Sequence, residues 1–350
     1  MIVLKNESTL SHDLRKEDNA KINYGFPFRN QQEIDKRNKI LQKFDPLARS
    51  LGSELIELPI IAPISNFLGD APRPLSEKNK HRLFSDTTSD GSPLSVRYEG
   101  TSLTAKYVAS EIENFDIYNK KYHYFQEMVR IESQAELDDR HSRAFYQGGL
   151  EAFTDNYEHH LKNVADVVDF IDSFTSSLGL SITIRFSHTE IISSIFSKMN
   201  IDKFAQRRII SLLEKSNFHE ISRSLDICEV PKEQKEIILE LVSSREIELR
   251  TGISQLKKYP EYFHKSVYEL ETVFNYLSAN KNLDLRFDAG IYRSLDFYSG
   301  ITIQGDIPEM KECLGGGDFT GLVENYGINK KVFSFGMALG IERLMRMIKE

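Results

Sequence analysis

The chain has 350 residues, enough for about two compact units, with 45 Lys and Arg against 52 Asp and Glu and a formal net charge of -7. This acidic balance excludes a protein whose main task is to coat nucleic acid, which calls for a basic excess. Two cysteines, Cys228 and Cys313, exclude a disulfide framework, and the absence of a long apolar run excludes a membrane span or secretory h-region, so a soluble cytoplasmic protein is expected.

Residues 1–30 are polar and mixed in charge, and Gly25 and Pro27 would break a regular element there, so they read as an arm. Over 31–51 Ile34, Ile40, Leu41, Phe44, Leu47 and Ala48 recur at helical spacing, and Gly52 stands where a helix would stop. Residues 55–61 read as a strand that Pro59 confines to an edge or bulge. The Pro-rich and polar stretch 69–93 reads as loop, 94–98 as a strand and 101–112 as a helix. Two strands, 122–131 and 144–153, form a hairpin-like pair, and the helix that follows carries Val164, Val167, Val168, Ile171 and Phe174 on one side.

From 190 to 279 the pattern becomes almost continuous amphipathic helix, with expected segments at 204–216, 218–227, 232–247 and 253–279. After Leu283, short strand-like runs and glycines return, and a last helix closes the chain. The expected fold class is therefore α+β: an antiparallel sheet flanked by helices and interrupted by a helical insertion. The expected organisation is an arm at 1–30, a core built from 31–189 and 281–350, and an insertion at 190–280.

Several candidate chemistries can be weighed. Leu314-Gly315-Gly316-Gly317-Asp318 lacks the Lys-Ser/Thr of a phosphate-binding P-loop, which leaves a tight turn or bulge, or a backbone passing close to a ligand. His159-His160 has no further ligand at metal spacing and reads as a solvated helix face. Neither cysteine has a partner pattern for nucleophilic chemistry. More informative are Glu99 and Thr101 around Gly100, Arg130 with Glu132, Gln147 with Glu151, the group Arg293, Asp296 and Tyr298, and Glu342-Arg343 at the last helix. Alternation would place Arg130 and Glu132 on one side of a strand, and Gln147, Gly149 and Glu151 likewise. Each pair alone is as well explained by solvent exposure. Together they would form a sheet floor carrying guanidiniums beside carboxylates, suited to a ligand with both a phosphate and an amine.

These residues carry a resemblance to the catalytic core of class II aminoacyl-tRNA synthetases, specifically the histidyl branch. Arg97-Tyr98-Glu99-Gly100-Thr101 resembles its Arg-Pro-Glu-Gly-Thr, and Arg130-Ile131-Glu132 resembles the Phe-Arg-x-Glu of its second motif. Arg293-Ser294-Leu295-Asp296-Phe297-Tyr298 is similar to the histidyl signature, and Gly336 to Leu344 to the third motif. The resemblance implies that Arg130 and Arg293 act on the α-phosphate, and that Arg130, Glu132 and Arg343 bind ATP. Glu99, Thr101, Gln147, Glu151 and Tyr298 would hold the amino acid, with no dedicated metal ligands and with ATP and Mg2+ as cofactors. It also implies a homodimer through the first motif, near Leu58-Pro59.

Departures accompany the matches. The chain stops after the third-motif helix, where the family continues into an anticodon-binding domain. The second-motif loop carries Glu136, Asp138 and Asp139, and Asp318 and Thr320 replace charged residues of the Gly-Gly-Arg-Tyr-Asp string. Ordinary tRNA charging is therefore not expected. The expectation is activation of histidine or an analogue as its adenylate, with the acyl group passed to a small molecule, protein or carrier. The alternative is a histidine-sensing regulatory subunit that joins a phosphoribosyltransferase catalytic subunit.

Overall fold

In a computed structural model of the chain, the described residues are 22–23, 25–68, 81–112, 118–132, 142–198, 202–214, 218–278, 283–291 and 297–348. The strands are β1 (Ile22–Asn23), β2 (Phe26–Pro27), β3 (Glu54–Leu55), β4 (Ile61–Pro63), β5 (Ser85–Thr87), β6 (Pro93–Val96) and β7 (Lys120–Val129). They continue with β8 (Ala144–Thr154), β9 (Thr183–His188), β10 (Ile247–Glu248), β11 (Asp284–Phe287), β12 (Ile301–Ile307), β13 (Met310–Asp318) and β14 (Phe333–Gly340). The helices are α1 (Gln31–Ser50), α2 (Ser65–Leu68), α3 (Thr101–Glu111), α4 (Tyr157–Ser177) and α5 (Glu190–Ser197). After these come α6 (Lys203–Glu214), α7 (Phe218–Ile227), α8 (Lys232–Ser243), α9 (Leu249–Leu256), α10 (Pro260–Leu277) and α11 (Ile341–Met347).

Nine strands form one sheet in the order β10-β11-β9-β12-β13-β14-β8-β7-β3. Its centre is antiparallel, while β11 with β9 and β3 with β7 pair in parallel. The expected α+β sheet flanked by helices is thus observed. Alternation along the central strands explains what each face does. Phe186, Ile303, Leu314, Leu339 and Leu150 turn to one face, where they join a core with Ile40 and Phe44 of α1 and Val164, Val168 and Phe174 of α4. Burying one such side chain contributes about 1.5–3 kcal/mol. The residues between them, among them Arg185, Gln304, Gly315, Ala338 and Glu151, face the other way and are small or polar. That face carries the cavity.

Local chemistry sets the boundaries. Asn30 and Glu33 make a reciprocal capping box at the start of α1, and Gly52 just past its end has φ +75°. Expected 55–61 is not one strand: it splits into edge strand β3 and the separate β4, and the residues around Pro59, which cannot donate to a ladder, belong to neither. The segment expected as an arm contains the β1–β2 pair, whose turn is made by Gly25 at φ +81°. Helix 232–247 stops at Ser243, and Ile247–Glu248 pairs with β11 instead. The expected 253–279 is two helices, broken where Pro260 starts α10. The strand β9 was not anticipated: a lone apolar alternation of six residues reveals its role only when β11 and β12 pair with it. The expected loop 69–93 contains β5 and the start of β6, and its residues 69–80 lie outside the described residues, as do 1–21, the acidic positions Glu136, Asp138 and Asp139, and Arg293 with Asp296.

Candidate active site

The cavity is built from rows of residues across the sheet. One row runs Arg185, Gln304, Gly315, Ala338, Gly149, Tyr124 through successive strand pairings. The next runs Thr302, Gly317, Gly336, Glu151. The centre of both rows is Gly or Ala, so polar side chains at the flanks surround a shallow trough. The resulting cavity of about 500 Å³ is lined by Glu99, Thr101, Arg130, Glu132, Gln147, Tyr298 and Arg343, among others. That size lies within the range of small-molecule sites. Seven of the nine residues to which the resemblance assigns a role line this space, as does Glu342, and Glu151 borders it through its bond with Thr101. Arg293 lies outside the described residues.

The three consecutive glycines form no turn: Gly315–Gly317 are extended residues in β13. Close approach is what requires them. A Cβ on Gly317 would come within 2.7 Å of the Tyr298 ring, and one on Gly316 would strike the backbone of β14. The same logic holds at the Tyr124 ring, which occupies the space a Cβ of Gly100 or Gly149 would need. Gly336 likewise leaves room for the Glu151 carboxylate.

On one side of the trough stands a pair of buried carboxylates. Glu99 accepts the Ser102 N–H at 3.1 Å on both oxygens and so caps α3, whose N-cap Gly100 has no side chain to do it. Thr101 Oγ1 donates to Glu151 Oε1 at 2.8 Å. Burial raises the pKa of Glu99, and the Ser102 bonds work against it. Burial also pushes Glu151 well above the carboxylate range, and the nearby Glu99 charge adds to this. The Tyr124 hydroxyl answers part of the Glu151 charge, while Gln147 Oε1 and Gln304 Nε2 are buried without a hydrogen-bond partner among the described residues. Buried polar groups are normally paired, at a cost of about 1–3 kcal/mol each when they are not. Two such atoms in one cavity mark it as a place where a polar ligand would satisfy them.

On the other side stand guanidiniums. Arg130 lies just past the end of β7, not within it as alternation suggested, although its N–H still bonds to Arg143 at 2.8 Å. Its Nε donates to the Tyr98 carbonyl at 2.9 Å and its head lies 4.9 Å from the Phe145 ring centroid, which leaves the fork oriented. Burial, then repulsion from Arg82, lowers its pKa. Glu132 is 3.8 Å from Arg82, so part of its charge is answered there. Arg343 bonds to the Glu312 carbonyl. Glu342, adjacent in sequence, accepts the Tyr146 N–H at 2.9 Å and Arg29 at 2.8 Å, so it ties α11 to β8.

Tyr124, Gln304 and Arg82 are among the lining residues that escaped the sequence reading. Tyr124 and Gln304 sit on alternating strands where period two marks a face but not its use. Arg82 follows a stretch of sequence with no periodic pattern. His160 corrects an expectation: instead of a solvated face, it is 2% exposed and donates from Nε2 to Asp318 Oδ2 at 2.7 Å. Cys313 is buried beside the cavity, and burial raises its thiol to about 12, which makes it inert. Among the described residues, no three His, Cys, Asp or Glu side chains are grouped to hold a metal ion, and no helix is long and apolar enough to cross a membrane.

This arrangement has counterparts. A family model described as histidyl-tRNA synthetase matches residues 25–344. A histidine–tRNA ligase of Saccharolobus islandicus (strain L.S.2.15 / Lassen #1) is 28% identical over 217 residues, covering 59% of this chain and 49% of that protein. One of Clostridium tetani is 24% identical over 266 residues, covering 73% and 59%. The chain thus spans about half the length of the curated relatives it matches. Among solved structures, an ATP phosphoribosyltransferase regulatory subunit/histidyl-tRNA synthetase from Bacillus halodurans superimposes with a TM-score of 0.79 at 15% identity, covering 96% of this chain and 85% of that one. Histidyl-tRNA synthetase from Nostoc sp. PCC 7120 gives 0.77 at 18%, covering 95% and 75%. With a match that spans the sheet, the helices and every described residue of the cavity, the chain belongs to the histidyl-tRNA synthetase family.

Proposed function

We propose that the cavity binds histidine or a related amino acid together with ATP and joins them as an aminoacyl-adenylate. The observation that supports this most is the buried Glu99 carboxylate in one cavity with Arg130 and with the unpartnered Gln147 Oε1 and Gln304 Nε2. An ammonium or imidazole group would satisfy the carboxylate side, and the guanidinium would answer developing negative charge on a phosphoryl group. In the proposed reaction a carboxylate oxygen of the amino acid attacks the α-phosphorus. The bond to the bridging oxygen breaks, and pyrophosphate leaves. Arg130 and Arg293 offset charge on the α-phosphoryl oxygens, while Glu132 and Arg343 hold the nucleotide. Glu99, Thr101, Gln147, Glu151 and Tyr298 orient the amino acid. With no grouped metal ligands among the described residues, Mg2+ would enter on the nucleotide phosphates, as that ion commonly does. Positioning and electrostatics then supply most of the rate.

A second reading has its own support: the likeness, over almost the whole chain, to the ATP phosphoribosyltransferase regulatory subunit/histidyl-tRNA synthetase of Bacillus halodurans. In that reading the same pocket senses histidine and a phosphoribosyltransferase catalytic subunit is the partner. Amino-acid-dependent exchange of pyrophosphate into ATP, across a panel that includes histidine, separates the two. Exchange that falls on the order of 100-fold in Arg130→Ala supports activation. No exchange with any amino acid, together with histidine-dependent assembly with a phosphoribosyltransferase, supports sensing.

A further inference from the structure

His160 and Asp318 lie behind the cavity wall and take no part in the roles above. Asp318 ends β13, directly after the glycines, and only 7% of it is exposed. Its carboxylate turns away from the cavity. Oδ2 accepts His160 Nε2 at 2.7 Å, and Oδ1 accepts the Ser299 hydroxyl at 2.9 Å and the Thr320 N–H at 2.8 Å. The Ser299 N–H also bonds to the Asp318 carbonyl at 2.9 Å. Two bonds therefore fix Ser299 to Asp318, one through the backbone and one through the side chain. Gly300 lies against the same carboxylate, with room for no Cβ. The residue before Ser299 is Tyr298, whose ring lies over Gly317 and lines the cavity.

On its other side the pair is held by α4. Asn156 caps that helix, accepting the His159 N–H at 3.0 Å, which places His160 in the first turn facing the sheet. The His160 ring packs against Tyr157, stacked at 6.4 Å, and Phe333 at 5.6 Å, and those two rings touch each other at 5.4 Å. A buried imidazole confined in this way can present Nε2 in one direction only. We propose that His160 and Asp318 form a positioning pair that fixes Ser299 and thereby sets Tyr298 as the wall of the amino-acid pocket. This rests on the reading of Tyr298 as a pocket residue. Asp318 stands where the family string carries arginine, so the arrangement answers what that departure does: it exchanges a cation for a buried anion with a matching histidine.

The test uses two substitutions that differ in one donor. Gln at position 160 can offer an amide N–H where Nε2 stood, and Phe cannot. His160→Phe and Ser299→Ala are expected to raise the KM for the amino acid about 10-fold while the KM for ATP and kcat change less than about 2-fold, and His160→Gln is expected to restore it. Equal changes in both KM values, or no difference between Gln and Phe, would overturn the proposal. A readout independent of activity uses the absence of tryptophan from the chain. In a Tyr298→Trp protein, adding Ser299→Ala is expected to increase acrylamide quenching of the single tryptophan about threefold, because an unfastened wall is more open to solvent. Quenching that does not change refutes the positioning role even if no amino acid is activated. Changed quenching without any exchange activity leaves positioning intact and counts against the adenylation reading alone.

Discussion

Glu151→Gln probes the buried carboxylate with the fewest compensations. In the unfolded chain this group releases its proton near 4.5, whereas burial and the Glu99 charge hold the proton to higher pH in the fold. The native state therefore binds more protons above 4.5, and stability falls as pH rises through that window. Glutamine keeps the oxygen that accepts from Thr101 and carries no ionisation. Once the wild-type carboxylate is ionised, burying its charge costs on the order of 1–3 kcal/mol more than burying the neutral amide. For a chain of 350 residues the unfolding entropy is roughly 0.7 kcal/mol per degree, so the variant should melt about 1–4 °C higher at pH 8.5 and equally at pH 5. Differential scanning calorimetry at the two pH values measures this. The same variant should lose binding of a cationic amino acid. A variant that melts lower at pH 8.5, or whose advantage is independent of pH, would refute the reasoning that the site holds a destabilising charge in readiness for a ligand.

Further outcomes follow from other residues. Asp318 is fully buried, which by itself would raise its pKa, yet His160 and the Thr320 bonds bring it down from 3.8 to about 2. Its contribution, about 2 kcal/mol, is complete above pH 4 and lost as pH falls toward 2, so wild type and Asp318→Asn should converge in denaturant unfolding over that window. Gly149→Ala should destabilise by about 1–3 kcal/mol in urea titration, because the new methyl group occupies the space of the Tyr124 ring. Glu312 holds φ +56° on β13, so Glu312→Gly should stabilise the fold by about 1 kcal/mol in the same titration.

The sheet strands β7, β8 and β14 and helices α1, α3 and α4 were legible because each carries its own periodicity over eight or more residues. What was missed depends on partners. Six-residue β9 has no identity until β11 and β12 flank it, and Ile247–Glu248 continues a helical pattern that only pairing with Phe287 overrides. The site shows the same division. Glu99, Thr101, Arg130, Gln147 and Glu151 were found because short strings place a charge beside glycine or on an alternating face. Tyr124 and Gln304 were not, since only the pairing of their strands brings them to the cavity. His160 reads as solvated from sequence because a histidine pair at the start of a helix gives no hint that Asp318, far along the chain, approaches it.

Equilibrium dialysis of labelled histidine against wild type and Glu151→Gln tests most directly whether the buried carboxylate face receives an amino acid. One molecule bound per chain, lost in the variant, is the expected result. Undiminished binding in the variant, or saturable binding that wild type never shows, would contradict it.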